Sequence, residues 1–543
     1  MLKIRSLLSS LLIIFVYSCS TFIQPKLNTD STPIKHPLSP TQASTLTPTP
    51  LPNQPNIILI LTDDLDTGSL DYMPYVKKYI GDAGVSFENY MVNVSLCCPS
   101  RASTLLGQYA HNTHIKKNRP PEGGFETFIS LNLEEYTIAL SLQKAGYRTA
   151  LVGKYLNGYP NTVDKTYIPI GWDEWYSPVD GTPYLSYKYV MNENGNLVPY
   201  GKHPKDYITD VLANKAMDFI TRTIETDQPF FLYLATFAPH GPSIPAIRHN
   251  SLFKGLKQLR TTSFNEADVS DKPAYIKNLS RLTVEEKSRI NRLYQKRLRS
   301  LQAVDELVFH IITQLEALGQ LDNTYIFFTS DNGFHLGQHR LYPGKQTPYE
   351  EDIRVSLLVR GPDVNKDQTR YELVGNIDIA PTFAKIAGSK LLLPTDGRSF
   401  LNLLRDPSLP ITWRKAFLVE HEVNTNDEDE TSSKGYGLWL NITGLQGLLE
   451  PPDTLIYNEI QANSLIIPPF FCLRTNRYKY VEYDTGEKEL YDLQTDPLEL
   501  ENLIKTYDHS KLILFSNWLS MLKSCNADSC TIIDASIPSG LTP

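Results

Sequence analysis

At 543 residues, with 41% hydrophobic and 21% charged positions, the chain is long enough for one large domain plus a smaller one, and its 31 Tyr and 21 Phe exclude wholesale disorder. A formal net charge of −8 removes any general attraction to nucleic acid or to an anionic membrane surface. An anionic substrate must therefore meet a local cluster of positive charge.

At the N-terminus, Lys3 and Arg5 precede an apolar run over residues 7–17 that is too short to span a bilayer, the pattern of an export signal. The run ends in Val16-Tyr17-Ser18-Cys19, which resembles a bacterial lipoprotein cleavage box. Residues 1–19 are accordingly expected to be a signal peptide, with Cys19 carrying lipid and forming the only link to a membrane; ordinary cleavage and secretion is the alternative. Residues 20–55 are rich in Pro, Thr and Ser, as in Thr45-Leu46-Thr47-Pro48-Thr49-Pro50, and lack the apolar surface that would offset ordering entropy. They read as a disordered tether.

The run Asn56-Ile57-Ile58-Leu59-Ile60-Leu61-Thr62 is apolar without alternation, as a strand buried on both faces requires, and Asp63-Asp64 follow at once. Helical stretches are predicted over residues 137–145, ending at Gly146, and over 207–225 and 283–318. Two more buried strands are predicted at residues 230–235, leading to Pro239-His240, and at 325–330, ending in Asp331-Asn332-Gly333. Polar residues thus gather beyond the carboxyl ends of buried strands, where open α/β sheets bind ligands. The alternation predicts an α/β/α sandwich with a large, mostly parallel sheet over residues 56–409. From about Pro410 shorter strands take over, at 416–420, 478–483 and 489–493, with Asp484-Thr485-Gly486 as a hairpin turn. Residues 410–535 are expected to form a smaller antiparallel sheet with a terminal helix near 511–523, and polar residues 424–434 a mobile loop. No fixed-period repeat is present.

Asp63-Asp64 alone could cap a helix or occupy a solvated turn. With Asp331-Asn332 at a second strand end, the two pairs offer hard oxygen donors suited to calcium or magnesium. The stretch Cys97-Cys98-Pro99-Ser100-Arg101-Ala102-Ser103-Thr104-Leu105-Leu106-Gly107 could be read as a soft-metal site, but it lacks the paired Cys-x-x-Cys spacing of structural zinc.

Cys-x-Pro-Ser-Arg followed by Leu-Leu-Gly resembles the signature of the sulfatase family, which directs oxidation of the first cysteine, here Cys97, to formylglycine. Gly153-Lys154-Tyr155-Leu156-Asn157, Ala238-Pro239-His240, Ser330-Asp331-Asn332-Gly333-Phe334-His335 and Gly344-Lys345-Gln346-Thr347-Pro348-Tyr349-Glu350 resemble further family blocks in family order. The likeness runs from Asn56 to about Asn502. It implies an alkaline-phosphatase-like fold, a calcium ion (magnesium as the alternative) held by Asp63, Asp64, Asp331, Asn332 and modified Cys97, and Arg101, Lys154, His240 and Lys345 around the nucleophile and sulfate. It also implies a formylglycine-generating enzyme as a partner and a sulfate ester as substrate. The Cys-Cys-Pro-Ser-Arg start and the Gly-Lys-Tyr-Leu-Asn form are similar to N-acetylglucosamine-6-sulfatases, which points to a sulfated carbohydrate.

Many sulfatases carry a His shortly after the lysine of the Gly-Lys block; here Asn157 is assigned part of that role. His111, His114 and His335 either contact sulfate or sugar or orient the acids as framework residues. Cys98 is expected to be packing. With Cys19 given to lipid and Cys97 to modification, Cys98 and Cys472 stand alone and Cys525–Cys530 is the expected disulfide. Two other readings remain: a phosphate or phosphonate ester hydrolase of the same fold, and a surface glycan-binding protein that never acquires the aldehyde.

Overall fold

Strand β1 (Asn56–Asp63) is buried along its whole length because helices cover both faces of its sheet. Ile57, Leu59 and Leu61 face one layer together with Phe231, Tyr233 and Phe327. Ile58 and Ile60 face the other with Leu232, Leu234, Ile326 and Phe328. This period-two division of a continuous apolar run is what the sandwich demands. The computed structural model describes residues 54–406, 412–422 and 465–541. The signal peptide, all but the last two residues of the tether, the boundary near 410 and the loop at 424–434 lie outside the described residues.

The remaining strands are β2 (Val85–Phe87), β3 (Tyr90–Met91), β4 (Arg148–Gly153), β5 (Glu174–Gly181), β6 (Tyr189–Glu193), β7 (Asn196–Pro199), β8 (Phe230–Pro239), β9 (Thr324–Ser330), β10 (Leu357–Arg360), β11 (Gln368–Arg370) and β12 (Val374–Gly375). Nine of these join β1 in one ten-stranded sheet of order β11-β2-β10-β9-β1-β8-β4-β5-β6-β7, while β3 and β12 pair separately. The central five, β9-β1-β8-β4-β5, are parallel. Antiparallel pairs flank them, β9 with β10 on one side and β5 with β6, then β6 with β7, on the other.

The helices Cys97–Leu106, Ile138–Lys144 and Ile379–Ala387 contribute to the first layer, and Ile208–Ile224 and Val284–Ala317 to the second. The last of these starts on a capping box: Glu286 N donates to Thr283 Oγ1 and Thr283 N to Glu286 Oε2, satisfying two donors that a helix start leaves open.

A second, antiparallel sheet follows the order β13 (Ala416–His421), β14 (Phe470–Thr475), β15 (Tyr478–Tyr483), β16 (Lys488–Asp492). Its core is shared with helix His509–Leu522 and with Met91, Tyr109, Tyr349 and Ile353 from the larger sheet's connections. Cys525 and Cys530 form the expected disulfide, while Cys97, Cys98 and Cys472 are free and buried. With its large, mostly parallel sheet between helices and the small antiparallel sheet after it, the fold is alkaline-phosphatase-like.

Candidate active site

Parallel neighbours end together, and here that brings distant residues into one place. Register pairs Thr62 with Ser330, Asp63 with Pro239, and Gly153 with Ala235. The shared ends therefore carry Asp63 as the last residue of β1 and Asp64 just after it, Asp331 and Asn332 after β9, His240 after β8 and Lys154 after β4. Cys97 opens the Cys97–Leu106 helix and Arg101 follows one turn later on the same face. The helix stops at Gly107, whose φ of +71° is the left-handed cap geometry; a Cβ there would stand 2.8 Å from Thr395 Cγ2. The glycine of the Leu-Leu-Gly element is thus demanded by both backbone and space.

Three carboxylates meet three permanent cations in this spot, all buried. Lys154 Nζ donates to Asp63 Oδ2 at 2.7 Å, and Lys345 Nζ to Asp64 Oδ1 at 2.7 Å and to Cys97 Sγ at 2.8 Å. Arg101 reaches Asp331 Oδ2 through Nε at 2.9 Å and Nη2 at 2.8 Å. Cys97 Sγ lies 3.4 Å from Asp63 Oδ1. His240 Nδ1 stands 2.8 Å from the Gly241 carbonyl, which places its proton there and turns Nε2 toward Asp64 Oδ2 at 3.7 Å.

Burial opposes ionisation of Asp63, but Lys154, His240, Arg101 and Lys345 overcome it and hold that carboxyl far below its usual range. Asp64 is lowered too, against its burial, by Lys345 and His240. Asp331 is raised by burial and by the negative charge of Asp63. Burial and Asp63 also push the Cys97 thiol well up, so as a thiol it is a poor nucleophile.

These residues fit a hard divalent cation. The ligand atoms of Asp63, Asp64, Cys97 and His240 lie within 4.8 Å of one another. Asn332 donates Nδ2 to Asp64 Oδ1 at 2.7 Å and leaves Oδ1 buried without a hydrogen-bond partner, which is what a coordinating amide would show. Sulfur at Cys97 is the one soft member of the set, and replacing it with oxygen would make the set uniformly hard.

Asn157, three residues after Lys154, is buried, with its carbonyl accepting from Phe125 N and its Oδ1 without a hydrogen-bond partner. His335 is placed otherwise: Nδ1 is 3.0 Å from both Asp352 oxygens and Nε2 is 2.8 Å from the Tyr342 carbonyl, so neither ring nitrogen is left for substrate. It is a framework residue, and against the opposing effect of burial Asp352 raises its pKa above the ordinary histidine value. His111 bridges Glu420 and the Cys525 carbonyl in the same supporting manner. His114 is exposed in a left-handed turn.

Two residues at the site have no counterpart in the motif reading. Tyr184, from the β5–β6 connection, packs its ring 5.2 Å from Lys154 Nζ and 4.6 Å from the His240 ring. Arg297, from helix Val284–Ala317, is buried behind Asp64. Neither lies in a signature block, and a single arginine on a charged helix reads as a solvated residue.

The block containing Lys345 is also tied to the second sheet. Glu350 accepts from Arg474 Nε at 2.9 Å and lies 3.0 Å from Lys479 Nζ, while Tyr349 Oη donates to Glu489 at 2.8 Å. Burial opposes the charge of Glu350, and Arg474 and Lys479 keep its pKa well below the ordinary value. Glu350→Ala leaves the buried Arg474 without its carboxylate, while Lys479 keeps Glu499 at 2.6 Å, and is expected to lower unfolding free energy by about 3 kcal/mol in urea titrations; a change below about 1 kcal/mol would show that the bridge is not structural.

Hydrolases of the alkaline-phosphatase-like fold that act on oxyanion esters form the class to which this fold and site point. The family model described as sulfatase matches residues 55–389, and the chain belongs to the sulfatase family. It is a sulfuric ester hydrolase. Human N-acetylglucosamine-6-sulfatase is 35% identical over 492 residues, covering 88% of this chain and 86% of that protein. An arylsulfatase of Volvox carteri is 32% identical over 524 residues, covering 88% and 76%. A solved structure in complex with its substrate D-glucosamine-2-N,6-O-disulfate shares the fold with a TM-score of 0.66 at 23% identity, covering 89% of this chain and 99% of that one.

Proposed function

We propose that the protein removes sulfate from sulfated sugars, such as N-acetylglucosamine-6-sulfate units, using a formylglycine made from Cys97 beside a calcium ion. The observation that carries this is the convergence of Cys97 Sγ with three carboxylates, Lys154, Lys345 and His240 at the ends of four adjacent parallel strands. Asp63, Asp64, Asp331 and Asn332 would hold calcium, or magnesium as the alternative. When present, the hydrated aldehyde supplies an oxygen nucleophile and the cation supplies the positive charge that favours its ionisation.

The chain's own side chains supply the rest. Arg101 and Lys154, both buried, bring preorganised positive charge to the site, where low local polarity makes it count more against the charge on the sulfuryl oxygens. Lys345 Nζ, 2.8 Å from Cys97 Sγ, and His240 Nε2 are the groups positioned to pass a proton to the departing alcohol. Asn157 and His114 are proposed to face the sugar. Export, with Cys19 as a lipid anchor, is part of the same proposal, and the Cys525–Cys530 disulfide suits an oxidising compartment.

The preference for sugars rests on the Gly153–Asn157 block and on the human relative. Comparing kcat/KM for glucosamine-6-sulfate and an aryl sulfate tests it, with allowance for the better aryl leaving group. Sugar turnover is expected; strong aryl activity with no turnover of any sulfated sugar rejects the substrate class.

A further inference from the structure

Three of the loops that build the site end against one guanidinium. Arg297 lies at mid-length of the helix Val284–Ala317 and is 1% exposed. Its Nη2 donates to the Asp64 carbonyl and pairs with Asp66 Oδ2 at 3.0 Å, both beyond β1. Nη1 donates to the Pro239 carbonyl at 3.4 Å, at the end of β8 and beside His240. The guanidinium carbon stands 4.3 Å from the centroid of the Phe334 ring, two residues past Asn332 in the loop after β9. Asp66 is itself fixed by Ser69, whose N and Oγ donate to it.

Asp64 is where this matters most. Its φ of +65° is the left-handed region, which a non-glycine residue occupies at a cost of about 1 kcal/mol or more. In that conformation its carbonyl goes to Arg297, while its carboxylate meets Lys345 and Asn332 at the site. A flat group with donors on separate nitrogens in fixed directions holds carbonyls from two strand ends and pairs with Asp66 at once; the three donors of an ammonium radiate from one atom and lack that fork.

We propose that Arg297 is a positioning residue for the cation site, clamping the ends of β1, β8 and β9 so that Asp63, Asp64, Asp331 and Asn332 converge on one divalent ion. This rests on the proposed cation reading above. Residues that orient metal ligands from behind typically change metal affinity by about 10- to 100-fold when removed.

Calorimetric titration of CaCl2 into chelator-stripped, full-length protein tests this without reference to turnover. Arg297→Met keeps the apolar stem and removes the donors, and its Kd for calcium is expected to rise by about tenfold or more. Arg297→Lys keeps the charge but not the fork, and a rise of at least about threefold is expected. Arg370→Met is the control. Arg370 is buried on the far edge strand β11, and its Nε and Nη2 both donate to the Leu403 carbonyl, so its loss costs stability by the same chemistry far from the site. That variant is expected to bind calcium within about threefold of wild type.

If Arg297→Met does not fold, the Arg297→Lys value decides alone. Less than a threefold change in the folded Arg297 variants overturns the role. So does an equal weakening in Arg370→Met, which would show a general effect of lost stability. Wild-type protein that takes up neither calcium nor magnesium removes the cation from the proposed function, and the role of Arg297 with it.

Discussion

Cys97→Ala is expected to lose sulfatase activity by about a thousandfold or more, several kcal/mol of barrier. The substitution removes the carbon that would carry the aldehyde, and nothing nearby replaces it: the neighbouring Cys98 is fully buried, with its backbone N donating to Asn118 Oδ1. Burial pushes the Cys98 thiol up to about 12, so it is inert as well as misplaced. Cys98→Ala deletes a small packed side chain and is expected to stay within about tenfold of wild type, roughly 1.4 kcal/mol, wherever the motif is still modified. Kinetics of both variants, with peptide masses across the motif, separate a failure of modification from a failure of chemistry. Near-normal activity in Cys97→Ala contradicts the nucleophile assignment.

Asp331→Ala is expected to remove both bound cation and turnover, the latter by about a thousandfold. Asp331 has more than one task. Its Oδ2 holds Arg101 through two nitrogens, and its Oδ1 accepts from Asp64 N at 3.1 Å, joining the β9 loop to the β1 loop. Alanine deletes a hard donor, strands a buried guanidinium and unties Asp64. The stranded charge also lowers stability by about 3 kcal/mol, so Asp331→Asn, which keeps shape and some hydrogen bonding, is the companion variant. Elemental analysis for the metal and kcat/KM for a sulfated sugar are the readouts. Full activity in either variant removes Asp331 from the site.

Much of the scaffold is legible in the residues because burial on both faces leaves a plain record. The runs at Asn56, Phe230 and Tyr325 are continuous and apolar, and each is a central parallel strand. The long helix expected from residue 283 starts at Val284, on a capping box of Thr283 and Glu286 that the structure supplies. The flanking strands are harder: β2 and β10 are three and four residues long, too short for a period to show. The β6–β7 hairpin, whose second strand is largely exposed, carries no apolar pattern.

The site divides in the same way. Asp63-Asp64 and Asp331-Asn332 are visible as acids at strand ends, but their meeting across 267 positions follows from β1 and β9 being neighbours, which no local pattern encodes. Cys97 and Arg101 are visible through the motif; that the motif is one helix capped by Gly107 is not. His335 shows the opposite case. It sits in a family block beside Asp331, yet Asp352 and the Tyr342 carbonyl use both of its nitrogens. Arg297 is invisible because a buried arginine on a helix differs from a solvated one only in what surrounds it.

The mass of the peptide spanning Cys97, taken from active protein made in its native host, tests the central claim most directly. Residue 97 is expected to have lost its sulfur and two hydrogens and gained one oxygen, giving an aldehyde that a carbonyl-reactive hydrazide will label. Fully active protein with an unmodified thiol at Cys97 would contradict it.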